Sequence, residues 1–358
     1  MTVSSNQRNT WRRLKKNKGA ILGMGIILVS LIIAVFAYYI SPDGSPDANR
    51  MVVQIGGMKP GYQQDFLKIP KETVPDATSA GRRLLYGKTD VYDYIPVTHW
   101  AVRGDTLFTD QYIDEGITEP VAYPLKQING YAVEHKRYLL GTDKYGRDIL
   151  SRLIIGVRVS LGVGLVTVLL SVSIGVLLGS VAGYFRGRID DIIMWLINVI
   201  WSIPTLLLVF AITLMLGKGF WQVFIAIGLT TWVNVARIIR GQVLSIREME
   251  YIEAARALGF SSARIIARHI LPNVMGAVSV IAASNFASAI VIEAGLSFLG
   301  VGVQSPQPSW GLMIKENYNF IITHNPMLAL APGFAIMTLA LAFNLLGNGL
   351  RDALQVKE

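Results

Sequence analysis

The stretch RGQVLSIREMEYIEAARALGFSSARIIARHILP, residues 240–272, is too polar to span a membrane and too patterned to be an idle loop. Tyr251, Ala254, Ala255 and Leu258 recur at i, i+3, i+4 and i+7, one apolar face of a helix whose other side carries Arg247, Glu250, Glu253 and Arg256. Gly259 suits the left-handed position that closes such a helix, because a residue without a Cβ takes φ > 0 at no steric cost. Ser261 or Ser262 then caps a second short helix from Ala263 to His269, which Pro272 halts before the next apolar run. Two uses fit this helix, glycine turn, helix unit. Its small residues Ala254, Ala255 and Gly259 let a partner backbone come near while the charged flank sets orientation, or the helix lies amphipathically on a membrane surface.

On both sides of this segment the chain is apolar. Runs from about Ala20 to Ile40, Leu153 to Tyr184, Ile189 to Leu216, Phe220 to Ile239, Val274 to Leu299 and Met327 to Leu346 are each long enough to cross the hydrocarbon core, which takes about 20 residues. Six transmembrane helices are expected, with tilts or kinks in the longest runs. The first run is too long for a signal-peptide core and has no A-x-A site before Ser41-Pro42-Asp43, so it reads as a retained helix. Gly162, Gly164, Gly175, Gly179 and Gly183 leave small surfaces on the second, where helices can approach closely. Arg8, Arg12, Arg13, Lys15, Lys16 and Lys18 place the N-terminus inside. Parity then puts Arg186, Arg188, Arg237, Arg240, Arg247, Arg256, Arg264, Arg268 and Arg351 on the cytosolic side, as the positive-inside rule asks. The 41–140 segment, Lys218 and the Gln304–Asn325 loop face outward, and the C-terminus is cytosolic.

The organisation is therefore a basic N-terminus with helix one (1–40), an extracytoplasmic insert (41–140) and a membrane domain (141–358) that contains the 241–272 loop. The insert is rich in proline and aromatic residues and has no run long enough to span. Met51–Ile55 and Asp90–Ile95 are short strand candidates within it.

Composition agrees with a membrane. The 358 residues are 52% hydrophobic and 16% charged, against about 25% charged in soluble domains. The net charge is +9, yet the insert holds 11 Lys/Arg against 13 Asp/Glu. The basic excess therefore flanks the apolar runs, which is membrane orientation and not a nucleic-acid patch. There is no cysteine, and His99, His135, His269 and His324 are scattered, so no metal site or cofactor is expected on this chain. The absence of G-x-x-x-x-G-K-[ST] leaves ATP to another polypeptide, and the absence of H-E-x-x-H and G-x-S-x-G argues against an enzyme.

The run Glu253-Ala254-Ala255-Arg256-Ala257-Leu258-Gly259, followed by Ile270-Leu271-Pro272, closely resembles the E-A-A-x-x-x-G-x(9)-I-x-L-P loop of ABC importer permeases. His269 stands where the general motif has Ile, and Arg-His-Ile-Leu-Pro looks like the form used by the peptide-importer branch. Leu140–Asp148, Glu293–Gly300, Pro308–Gly311 and Asn344–Asp352 are similar to segments of the C-type permease subunit of dipeptide and oligopeptide (peptide/nickel) importers. The resemblance reaches from about residue 140 to the C-terminus and includes the basic first helix, but not the insert. It implies an all-α polytopic membrane protein of the type I importer class with a long insert between helices 1 and 2. In it Glu253, Ala254, Ala255, Gly259, Leu271 and Pro272 couple the pore to an ATPase. It further implies a second permease subunit, two ATP-binding subunits that hold ATP and Mg, an extracytoplasmic substrate-binding protein, and peptide import by alternating access. A permease for nickel or another small solute is the alternative within the family. An ion-gradient-driven secondary transporter is the alternative outside it, against which stand the lack of an internal repeat and of acidic residues at mid-depth.

Polar residues within the apolar runs need a reason, since an ionised side chain at mid-bilayer costs roughly 2.5–3.5 kcal/mol on insertion scales. Glu293 lies about 30 Å along the helix from Pro272 and reads as a pathway residue at the outer mouth, or as a structural ion pair or helix-end contact. Arg158 reads as a pathway residue or one that snorkels to the interface. Asn198, Asn234, Asn285 and Asn344 hydrogen-bond between helices or face the lumen. Of the outer motif, Thr142-Asp143 reads as a cap with Arg147 and Asp148 in the following first turns, and Trp310 as an interfacial anchor.

Overall fold

The computed structural model describes residues 11–71, 79–128, 130–323 and 325–354; Arg8, the 72–78 stretch of the insert and His324 lie outside the described residues. In chain order the helices are α1 (Lys18–Ile40), α2 (Ala80–Tyr86), α3 (Ile149–Phe185), α4 (Gly187–Trp201), α5 (Thr205–Leu216), α6 (Phe220–Arg247), α7 (Glu250–Ala257), α8 (Ser262–Leu299), α9 (Trp310–Asn317) and α10 (Met327–Leu354). Five of them, α1, α3, α6, α8 and α10, are long and apolar enough to cross a membrane, and α4 with α5 forms a sixth, bent span.

Three details depart from the reading of the apolar runs. The run Ile189–Leu216 is broken into two helices at 91°. Pro204 offers no N–H and disfavours helical backbone at the residue before it, so α4 ends at Trp201 and α5 starts afresh at Thr205. Helix α6 continues past Ile239 to Arg247, because Val235, Ile239, Val243 and Ile246 keep one buried stripe. Pro272 does not halt a short helix. A π-turn at Ile266–Ile270, with the Leu271 N–H donating to the Ile266 carbonyl, accommodates the proline one turn into the long span, and α8 runs through to Leu299.

Packing divides the chain into two units. The first comprises the chain through residue 31, residues 160–304 and everything from 336 onward. Within it α3 lies against α6 with almost no space between backbones. A Cβ on Gly175 would clash with the Val235 Cβ, one on Gly179 with the Ala236 carbonyl oxygen, and one on Gly183 would fall 2.8 Å from the carbonyl oxygen of Arg240. The 175/179/183 spacing is the small-residue face expected of close helix pairs. Gly162 has only Phe220 at 3.8 Å and takes no part. On the other side Gly23 and Gly349 do the same for α1 and α10, where their Cβ positions would clash with the Ala342 carbonyl oxygen and the Ala20 Cβ. Gly179→Ala is therefore expected to destabilise by about 1–3 kcal/mol, since a backbone carbonyl cannot rotate away. Gly162→Ala is expected to be neutral or slightly stabilising. Thermal melts of the two purified variants in detergent check the pair, and equal midpoints would contradict the α3–α6 packing.

The second unit comprises residues 32–159 and 305–335 and carries the insert. Here a five-stranded antiparallel sheet runs in the order β4-β3-β2-β1-β5, with β1 (Tyr62–Pro70), β2 (Tyr92–Arg103), β3 (Thr106–Asp114), β4 (Ile117–Pro124) and β5 (Ala132–Tyr138). Glycines at positive φ, Gly104 and Gly116, turn the two hairpins. Asp90–Ile95 enters strand β2 from Tyr92 onward, as expected. Met51–Ile55 is no strand: Val53–Ile55 is one turn of 3-10 helix, and Val52 and Ile55 bury against Phe66, Tyr112 and Tyr138. The outermost strand β4 carries Pro120 and Pro124, which blunt an otherwise open edge.

Candidate functional site

Helix α7 is short, and its ends are closed by separate devices. Glu250 and Glu253 sit in its first turn and Arg256 in its last, each on the side that complements the helix dipole. At the other end Gly259 adopts φ +78, the Phe260 N–H donates to the Ala255 carbonyl (3.1 Å) and the Gly259 N–H to that of Arg256 (2.9 Å). This paired pattern is the Schellman closure, and it fixes the direction in which the chain leaves. The Ser261 side chain makes no capping bond to the following helix.

The helix is anchored by a different stripe from the one read in the sequence. Ile252 and Ala255 are buried, in a core shared with Ile246, Ile265, Ile270 and Val274 of α6 and α8. Tyr251, Ala254 and Leu258 are exposed, Leu258 to 74%. Of the expected apolar face only Ala255 points inward; the rest forms an outward stripe at i, i+3 and i+7. Glu253 is exposed beside it, Leu271 is half-buried and Pro272 exposed. Around the turn, Phe260 stacks on His269 (6.0 Å, 17°), Arg264 lies over Phe260 (4.5 Å), and Asn273 donates to the His269 carbonyl (2.6 Å) and the Tyr251 hydroxyl (3.3 Å). His269 thus holds the elbow against the long helix.

The residues read as pathway candidates do not converge. Glu293 is 1% exposed and accepts from the Ser297 hydroxyl (2.6 Å), whose oxygen in turn accepts the Val303 N–H (3.0 Å), a helix-end contact. Asn285 is buried and donates to the Ser171 hydroxyl (3.2 Å), joining α8 to α3. Arg158 donates to the Leu85 carbonyl (3.0 Å) and lies over the Tyr38 ring, so the insert-bearing unit takes it up. Asn344 is exposed. Only Asn234 and Asn198 come together, on α6 and α4. Asn234 accepts from the Trp201 indole (3.0 Å) and Asn198 from the Arg237 guanidinium (2.9 Å), which lies over the Trp201 ring at 3.6 Å. Arg237, read as part of the cytosolic charge set, therefore sits on α6 inside the run Phe220–Ile239, and its grouping with Asn198 and Trp201 was missed because those residues belong to a different run.

The outer motif is a buried ionic knot and not a helix cap at Thr142-Asp143. Asp143 accepts the N–H groups of Tyr145 (2.9 Å) and Arg147 (3.0 Å) and holds the Arg147 Nε at 2.6 Å. Arg147 spans from there to Glu316 (2.7 Å), and Arg152 approaches the same two carboxylates at 3.9 and 3.8 Å. The cap of α3 is Asp148, which accepts the Ser151 N–H at 2.9 Å. Burial raises the Asp148 carboxyl, with the Ser151 hydrogen bonds opposing. In strand β5 burial, assisted by Arg50, brings the Lys136 ammonium down to about 8. Trp310 is no interfacial anchor: it is 3% exposed and donates to the Leu153 carbonyl (3.0 Å).

Residues 175–357 match the family model for the binding-protein-dependent transport system inner membrane component, and residues 5–53 match that for the N-terminal TM domain of oligopeptide transport permease C. The dipeptide transport system permease protein DppC of Bacillus subtilis (strain 168) is 33% identical over 353 residues, 99% of this chain and 86% of the relative. The oligopeptide transport system permease protein OppC of the same organism is 40% identical over 222 residues, 62% of this chain and 72% of the relative. The glutathione transport system permease protein GsiD of Pectobacterium atrosepticum is 41% identical over 218 residues, 61% of this chain and 72% of the relative.

Proposed function

The chain belongs to the family of binding-protein-dependent transport system inner membrane components, and on that footing we propose that it is a pore-forming subunit of an ATP-driven peptide importer. It is a multi-pass membrane protein with both termini in the cytosol. A second permease subunit completes the pore, two ATP-binding subunits bind ATP and Mg, and a binding protein outside delivers the peptide. This chain carries no cofactor of its own. Relatives for dipeptides and oligopeptides support peptides over nickel or another solute as cargo.

The observation that carries the proposal is the exposed Tyr251–Ala254–Leu258 stripe on a helix whose opposite side is locked into the membrane-helix core through Ile252 and Ala255. A partner that grips the stripe moves a rigid lever. The lever's foot touches Ile246 at the end of α6 and Ile270 and Val274 at the start of α8, so displacement passes directly to two spans. Closure of the ATP-binding subunits then biases the membrane helices between inward- and outward-open arrangements.

Because the chain has no cysteine, single substitutions test this cleanly. Ala254→Cys and Leu258→Cys are expected to cross-link to an ATP-binding subunit and to react with impermeant thiol reagents only from the cytosolic side, whereas Val53→Cys in the insert reacts from outside. Labelling of Ala254→Cys from outside, or a complex in which neither position captures an ATP-binding subunit, overturns the coupling role.

A further inference from the structure

Arg237 is a charge inside an apolar run with no carboxylate beside it. At 1.5 Å per residue it lies about 15 Å from the Arg247 end of α6 and about 25 Å from the Phe220 end, near the cytosolic end of the run Phe220–Ile239. An ionised side chain in a span is costly, roughly 2.5–3.5 kcal/mol at the bilayer centre, so such residues face a bundle interior or a water-filled cavity. Arg240, one turn further along α6, pairs with Asp190 at 2.5 Å. Arg237 has no carboxylate within ion-pair distance among the described residues; it holds Asn198 and lies over the Trp201 ring.

What the cluster leaves open is mostly donors. The Asn198 oxygen accepts from Arg237 and the Asn234 oxygen from Trp201, one bond each. The unused guanidinium N–H groups and the two carboxamide NH2 groups outnumber the one lone pair left on each carboxamide oxygen. The Arg237 Cζ lies 3.6 Å over the Trp201 ring centroid, and the guanidinium N–H groups not used on Asn198 are left for an acceptor. Asn198, Trp201 and Asn234 are exposed and Arg237 half-buried, so the array is reachable. It stands immediately before the 91° break between α4 and α5, and discontinuous membrane helices at such depth are where transporters place their ligand groups.

We propose that Arg237, held on Trp201 and flanked by Asn198 and Asn234, is a station of the translocation pathway that reads the C-terminal carboxylate of the peptide in transit. This rests on the peptide-importer reading. A carboxylate is planar, anionic and acceptor-only, which is what an array of donors around a guanidinium fork selects. It is also an anionic group that every linear peptide with a free C-terminus carries whatever its sequence, so a reader of it does not restrict the cargo's side chains.

The test uses the complete importer in proteoliposomes with its binding protein, with di-, tri- and pentaalanine as free acids and as C-terminal amides. Arg237→Gln is expected to lower free-acid uptake by about tenfold, the scale of a charged hydrogen bond, with subunit assembly and binding-protein-stimulated ATPase intact and amide uptake unchanged. Arg237→Lys restores part of the loss, having charge without the fork. Wild-type free-acid uptake by Arg237→Gln overturns the station alone. Loss of the second permease from the purified variant overturns it too, because Arg237 then pairs with a partner carboxylate. Failure of the wild-type complex to import any free acid overturns the peptide reading and the station with it.

Discussion

Gly259→Pro is expected to lower peptide uptake by roughly two orders of magnitude while the variant inserts and purifies at near wild-type yield. Gly259 adopts φ +78, and proline is locked near −65°, so the Schellman closure cannot form. The substitution also removes the N–H that donates to the Arg256 carbonyl. A misplaced proline costs ~3 kcal/mol or more, and each ~1.4 kcal/mol is tenfold in the population of the competent elbow. The damage stays local because nothing lies within 4 Å of a Cβ at this position. Backbone angle, joined in the proline variant by the lost N–H, is then the variable, which gives a graded series. Gly259→Asn, tolerant of the left-handed region, loses little; Gly259→Val loses ~1–2 kcal/mol; Gly259→Pro loses most. Uptake in proteoliposomes measures it. A proline variant that transports normally would falsify the claim that the turn transmits motion.

The long apolar runs made the membrane helices legible, because spanning the bilayer is a property of length and hydropathy that a linear sequence carries in full. The break at Pro204 was not, since hydropathy is blind to direction: the same run describes one span or two half-helices at 91°. The glycines at 175, 179 and 183 announced a close helix pair; Gly19 and Gly23 share the same spacing, while Gly347 and Gly349, two apart, do not, so the α1–α10 approach was only half legible. At the coupling elbow the motif and the φ of Gly259 were readable, while the facing of α7 was misjudged. Periodicity gave Tyr251, Ala254, Ala255 and Leu258 equal weight, and the deciding residue was Ile252, whose partners Ile265 and Ile270 come from the far side of the turn. The insert's sheet was hidden because its cores are assembled across strands, Leu67 with Val97, Leu107 and Ile128, and not by clean alternation within any one. The contacts of Arg237 with Asn198 and Trp201 were hidden for a related reason: they join residues of two different apolar runs.

The pairing of Arg147 with Glu316 joins residues 169 apart and has no signature in local sequence, yet it supports the largest expected loss of stability. Arg147, Arg152, Asp143 and Glu316 form a neutral set in which both arginines are 0% exposed and both carboxylates are at most 10% exposed. Arg147→Met leaves two carboxylates facing Arg152 alone at 3.8–3.9 Å. Removing one partner of a buried ionic set costs about 3–5 kcal/mol, because the remaining charge is uncompensated and dehydrated. For a unit of this size that corresponds to a fall in the unfolding midpoint of about 10 °C. Arg147→Lys is expected to be nearly as harmful, since the wild-type guanidinium reaches Asp143 through Nε and Glu316 through Nη2 at once, and a single ammonium cannot span both. The ionic account differs from simple packing loss in its rescue. Arg147→Met combined with Glu316→Gln leaves Asp143 and Arg152 as a neutral pair and is expected to recover much of the midpoint. A single variant that melts with the wild type, or a charge-neutralised combination that melts lower still, would show that Arg147 contributes bulk and not charge.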